Sequence, residues 1–114
     1  MISEARLKDD AVVQQLSQDV GEDVFPALTQ AFKEEIEGCT TTLRKSLAEA
    51  DLALFETTAH ALKSAAASVG ALRLSDICRE LEAAARDNVT QDALKNLLDD
   101  YLRVVEQTNE AFGF

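Results

Sequence analysis

The chain carries a single histidine, His60, inside the stretch TTAHALKSAAASVGA that spans residues 57–71. An imidazole in water is largely uncharged at physiological pH, and a ring nitrogen then offers a lone pair to an electrophile. Lys63 follows three positions later, which on a helix is neighbour distance. An ammonium there suits an anion arriving on the ring nitrogen, such as a phosphoryl group. Apart from Lys63 the following residues are short, Ser64 and Ala67 among them. They leave the imidazole clear of its own helix and let an approaching molecule come close to the backbone. A histidine on a helix surface usually has no special role. The lysine and the bed of small residues single this one out.

For such chemistry His60 must point outward, so the helix that carries it decides the matter. Apolar spacing and end signals predict five helical segments and no strand. The third begins near Asp51 and aligns Leu52, Phe55, Ala59, Leu62, Ala66 and Val69. Gly70 ends it in a left-handed conformation. His60 falls roughly 140° from the centre of that stripe and faces solvent or a partner, with Glu56 and Thr57 one turn back on its side.

The other segments supply the scaffold. The first, near 9–20, carries Val12, Val13, Leu16 and Val20 and stops at Gly21. The second spans about 22–50, where Pro26 is tolerable only close to a helix start. Glu22 and Asp23 suit the positive end of its dipole, in or beside the first turn. Phe25, Leu28, Phe32, Ile36, Cys39, Leu43 and Leu47 form its stripe, and Gly38 within it is read as a point of close helix contact. The fourth, about 72–88, has Leu74, Ile77, Cys78, Leu81, Ala84 and Ala85 on one face. The fifth starts at Thr90, a plausible N-cap. It runs through Leu94, Leu97, Leu98, Tyr101, Val105 and Thr108 to a frayed end. Leu62 and Leu81 are core. Short links make segments two to five antiparallel neighbours. The expected fold is all-α, an antiparallel up-down-up-down four-helix bundle with a short N-terminal capping helix, and residues 1–114 form one domain.

Composition narrows the function. With 46% hydrophobic residues the chain can bury a core, which excludes general disorder. A formal charge of -10 repels a phosphate backbone and an anionic lipid surface, so nucleic acid and membranes are not expected partners. No apolar run nears the roughly 20 residues of a membrane span, and MISEARLKDD has neither the basic start nor the apolar stretch of a signal peptide. A soluble, cytoplasmic monomer is expected. Cys39 and Cys78 stand apart on apolar faces, where reduced thiols acting as small hydrophobes are expected. One histidine, two separated cysteines and Met1 make no recognisable metal or haem ligand set. With Gly 4 in all, a glycine-rich nucleotide cradle is hard to build, which argues against a self-sufficient kinase or phosphatase.

The stretch HALKSAAASVGALRLSDICRELEAAAR, residues 60–86, resembles the histidine-containing phosphotransfer (HPt) family. His60, Lys63, Ser64, Gly70, Ala71, Leu74, Leu81 and Glu82 match its pattern in order. The same stretch looks close to the free-standing LuxU-type phosphotransfer proteins of bacterial quorum sensing. The resemblance implies a histidine phosphocarrier in a multistep His-Asp-His-Asp two-component phosphorelay. His60 would take a phosphoryl group on Nε2 from an aspartate of a receiver domain, in a response regulator or hybrid sensor kinase, and give it back. Lys63 would steady the added charge. Ser64, with Ala67 part of the partner-binding surface, would keep the approach clear or donate a hydrogen bond to the phosphoryl oxygens. Glu82, where relatives often carry glutamine, would accept from Nδ1 and orient the imidazole; it reads equally as an i,i+4 ion pair with Arg86. Such a protein is a relay intermediate, not an enzyme with its own nucleotide site, and binds no cofactor; magnesium comes with the receiver domain. A start at Met1 with no flanking domain favours a free-standing protein. The alternative is a binding-only helical bundle without phosphotransfer, which a phosphate-label assay distinguishes.

Overall fold

Asp9, Asp51 and Thr90 each place a side-chain oxygen on backbone N–H groups that a helix start leaves unpaired. Asp9 accepts from Ala11 and Val12, Asp51 from Leu54, and Thr90 from Ala93. They open α1 (Asp10–Val20), α3 (Leu52–Ser68) and α5 (Gln91–Phe112) in the computed structural model, which describes residues 4–114. Met1 and the opening positions of MISEARLKDD lie outside the described residues. α2 (Phe25–Ala48) has no side-chain cap and starts beside Pro26. Proline has no N–H to give to a ladder, so the helix begins next to it and not at Glu22. Glu22 and Asp23 therefore lie in the preceding turn, outside the helix.

α4 (Leu72–Arg86) also lacks a side-chain cap, and the chain's own N-terminal segment takes that place. The Arg73 N–H donates to the Arg6 carbonyl at 2.9 Å, and the Arg73 Nε donates to the Ala5 carbonyl at 2.9 Å. Asp9 N–H donates to the Gly70 carbonyl at 2.8 Å. Gly70 holds φ +81, and a Cβ there would stand 3.1 Å from both the Asp9 carbonyl oxygen and Val12 Cβ. This strap fastens α1 against the α3–α4 turn. α1 needs it, because none of its residues is fully buried.

α3 packs most extensively on α4, then on α2, while α5 lies on α4 and closes against α2. Sequential neighbours plus that closure make the antiparallel four-helix bundle, 44 × 24 × 20 Å in extent, and none of the described residues is in a strand. The predicted stripes meet inside it. Ile36, Leu43, Phe55, Leu62, Leu74, Ile77, Leu81 and Leu94 are all at most 1% exposed, and in α5 Val104 is fully buried in place of the predicted Val105, which is only half-buried. Each such side chain stabilises the fold by roughly 1.5–3 kcal/mol relative to exposure. Tyr101 is buried with its hydroxyl 2.7 Å from Thr40 Oγ1, and burial pushes the phenol up. Cys39 is half-buried and Cys78 buried, both as free thiols that burial raises. Among the described residues no helix is long and apolar enough to cross a membrane.

Two further expectations are overturned. Gly38 makes no close helix contact: it is exposed, and a Cβ placed on it would meet nothing within 4 Å. The end of α5 is not frayed either. Gly113 adopts a left-handed φ of 74°, and Phe114 N–H donates to the Asn109 carbonyl at 2.8 Å. That turn brings Phe112 and Phe114 onto Phe32, with ring centroids 5.9 and 6.2 Å from it. Aromatic burial outweighs the entropy of a loose terminus.

Candidate functional site

His60 stands on the outer side of α3, away from Phe55, Ala59 and Leu62, with 60% of its side chain exposed. Across the α3–α4 hairpin, Glu82 follows the core residue Leu81 and has only 8% of its side chain exposed. Glu82 Oε2 lies 2.5 Å from His60 Nδ1, and Lys63 Nζ donates to Oε1 at 2.8 Å. Beneath the lysine, Ser75 Oγ donates to the Lys63 carbonyl at 3.0 Å, a part-buried link that fixes the register of α3 on α4.

The electrostatics of Glu82 determine the state of the imidazole. The hydrogen bond from Lys63 is the chief influence holding its carboxyl below the usual carboxylate range, and that from His60 acts in the same sense against burial. An ionised carboxylate only accepts, so His60 Nδ1 must be the donor. In the neutral ring the lone pair is then on Nε2, at the open side. The arrangement presents an aimed nucleophile, a fixed tautomer and an ammonium beside it.

Two further charged residues surround this triad. Arg86 Nη2 lies 3.7 Å from Glu82 Oε2, and Arg86 Nε donates to Glu56 Oε1 at 3.1 Å. The two sequence readings of Glu82, as partner of His60 and as partner of Arg86, thus describe one cluster, with the histidine and lysine as the nearer partners. The bond from Arg86 to Glu56 joins two helices, and neither spacing within one helix nor the family pattern predicts it. Its signal would have been opposite charges on facing sides of a predicted hairpin.

Ser64 and Ala67 are exposed along the same side of α3, and Ser68 continues that ridge. Ser68 touches two shallow grooves. One, about 360 Å³, has Val12 and Leu16 of α1 in its wall; the other, about 170 Å³, has Leu28 and Ala31 of α2. The small-residue bed thus continues into an apolar surface shared by three helices. Among the described residues no three His, Cys, Asp or Glu side chains gather as a metal-ligand group.

Residues 27–108 match the family model for the Hpt domain. The chain belongs to the Hpt family, whose proteins pass phosphoryl groups through a histidine in phosphorelays and work there with receiver domains. Among particular relatives, the phosphorelay protein LuxU of Vibrio harveyi is 32% identical over 80 residues, 70% of either chain. LuxU of Vibrio cholerae is 29% identical over 98 residues, 86% of either chain. The crystal structure of histidine-containing phosphotransfer protein B (HptB) from Pseudomonas aeruginosa PAO1 matches with a TM-score of 0.85 at 28% identity, covering 96% of this chain and 94% of that one. The LuxU-like character read from residues 60–86 agrees with these relatives, and the bundle agrees with HptB. The function of the chain is histidine phosphotransfer in a phosphorelay.

Proposed function

We propose that His60 is the phosphoacceptor and exchanges its phosphoryl group with the aspartate of a receiver domain in a response regulator or hybrid sensor kinase. The observation that carries this is the 2.5 Å contact of Glu82 with Nδ1, which leaves Nε2 as the exposed nucleophilic nitrogen. In the forward step the Nε2 lone pair forms the N–P bond. The P–O bond to the receiver aspartate breaks, and the aspartate departs as a carboxylate with the electron pair. The ring keeps its Nδ1 proton and gains positive charge, which Glu82 faces. In the return step that charge makes the imidazole a good leaving group. Lys63 turns to the phosphoryl oxygens, and magnesium on the receiver handles the charge at the aspartate. The protein serves as a carrier with no nucleotide site and no cofactor of its own, as a monomer in the cytoplasm, where free thiols such as Cys39 and Cys78 persist.

Ser64 and Ala67 lie within the docking face in this reading, with the apolar grooves beside Ser68 as its continuation. Reversible exchange calls for a modest interface and micromolar affinity, with an apolar centre and a charged rim. Mixed with a phosphorylated receiver domain, the protein should gain a label that is acid-labile and base-stable. His60→Gln should lose the label while the bundle stays folded, with a cooperative thermal melt like that of the parent. Retained label in that variant would refute the assignment. Ser64→Arg and Ala67→Arg each push a long side chain into the docking face and should block transfer in a folded bundle; parent rates in both would place the face elsewhere. With charge -10 on this side, added salt should slow the encounter with a basic receiver rim.

A further inference from the structure

Glu82 has more positive charge around it than orientation of the imidazole requires. Lys63 Nζ is 2.8 Å from Oε1, and Arg86 Nη2 stands 3.7 Å from Oε2 while Arg86 Nε is bonded to Glu56 at 3.1 Å. In formal charge, Lys63 and Arg86 balance Glu82 and Glu56. A phosphoryl group on Nε2, carrying close to two negative charges, breaks that balance. Lys63 is the cation nearest the new oxygens on its own helix, and turning to them removes the closest countercharge of Glu82. A carboxylate with 8% of its side chain exposed then faces the phosphoryl group with little help from water. The Arg86 side chain is 60% exposed, and its guanidinium, held by Glu56, needs only a short approach to close on Oε2.

We propose that Arg86 is a positioning residue: it takes over Glu82 when Lys63 turns to the phosphoryl group, and Glu56 holds it until then. The inference rests on His60 as the phosphoacceptor. Arg86 does not touch the reacting atoms. It keeps Glu82 compensated, so that the carboxylate continues to hold the Nδ1 proton without driving the phosphoryl group off the ring.

Phosphoramidate tests this without a receiver domain. The Nε2 lone pair forms the N–P bond, the P–N bond of the donor breaks, and the amine leaves with the electron pair, takes up a proton and departs as ammonia. After removal of the donor, the decay of the acid-labile label at neutral pH gives the phosphohistidine half-life. Arg86→Ala should shorten it by a factor between about 2 and 10, within the lower part of the coupling seen for groups in one network. Arg86→Lys should keep most of the parent lifetime. Made in a Glu82→Gln background, where no carboxylate needs compensation, Arg86→Ala should leave the half-life unchanged. Glu56→Gln, which leaves Arg86 to Glu82 alone, should lengthen it. The same factor in both backgrounds, no effect with Glu82 present, or a shortened half-life in Glu56→Gln would overturn the proposal. Loss of the parent reading has a different signature: no label on the wild type, or label retained in His60→Gln. Either result would remove both.

Discussion

Glu82 serves two ends that oppose each other, since the charge that holds the Nδ1 proton also repels the group that Nε2 receives. The balance depends on the cations, and pH exposes it. Lys63 is the main reason that the Glu82 carboxyl is held low. For a carboxyl with a lowered folded value, the stabilisation is complete above the ordinary value of 4.5 and is lost as pH falls through the lowered one. Wild type should therefore be more stable than Glu82→Gln near neutrality, and the gap should close as the medium is taken well below pH 4.5. Chemical denaturation of both proteins at a series of pH values measures this; a gap independent of pH would contradict it. At this scale the sequence was only partly legible. His60 and Lys63 are neighbours through helical spacing alone. Glu82 is 22 positions from His60, and its distance to the ring depends on how α4 is rotated against α3, which no spacing within one helix encodes. The same applies to the Arg86–Glu56 bond, which spans 30 positions.

Individual helices were easier to read, because each stripe is a local pattern that repeats every three or four residues. The ends were harder. α2 and α4 finish at Ala48 and Arg86, and Ala50 and Asn88 then take left-handed φ values of 53°. An alanine in that conformation gives no warning in sequence, whereas Gly70 does. The aromatic clasp of Phe32, Phe112 and Phe114 was missed for a related reason: it joins residues far apart in the chain. Two glycines test the helix accounting in opposite directions. Gly38 lies in an exposed helix interior with open space around it, so Gly38→Ala should stabilise the protein by about 0.5–1 kcal/mol. Gly70→Ala must place a Cβ 3.1 Å from the Asp9 carbonyl oxygen at a φ of +81. It should destabilise by at least about 1–2 kcal/mol and loosen α1 from the hairpin turn. Thermal melts read both signs, and a neutral Gly70→Ala would mean that the strap is not as tight as its distances imply.

Across the whole molecule, the number and order of the helices and their antiparallel packing followed from stripe and link length, since a bundle with short connections has few alternatives. The rotation of each helix about its axis is fixed by packing of the entire core and so emerged only in three dimensions. The tightest part of that packing, α3 against α4 across residues 69–71, has a consequence in time. Contacts between segments joined by a short turn close with little loss of chain entropy and tend to form ahead of distant ones. The hairpin that carries His60, Lys63 and Glu82 should accordingly be the folding nucleus, so that the nucleophile is aimed before α5 completes the bundle. In stopped-flow experiments Leu62→Ala and Leu81→Ala should act mainly by slowing refolding, and Leu98→Ala mainly by hastening unfolding. In the finished bundle Glu82 already holds the ring, so a partner that arrives finds the nucleophile aimed.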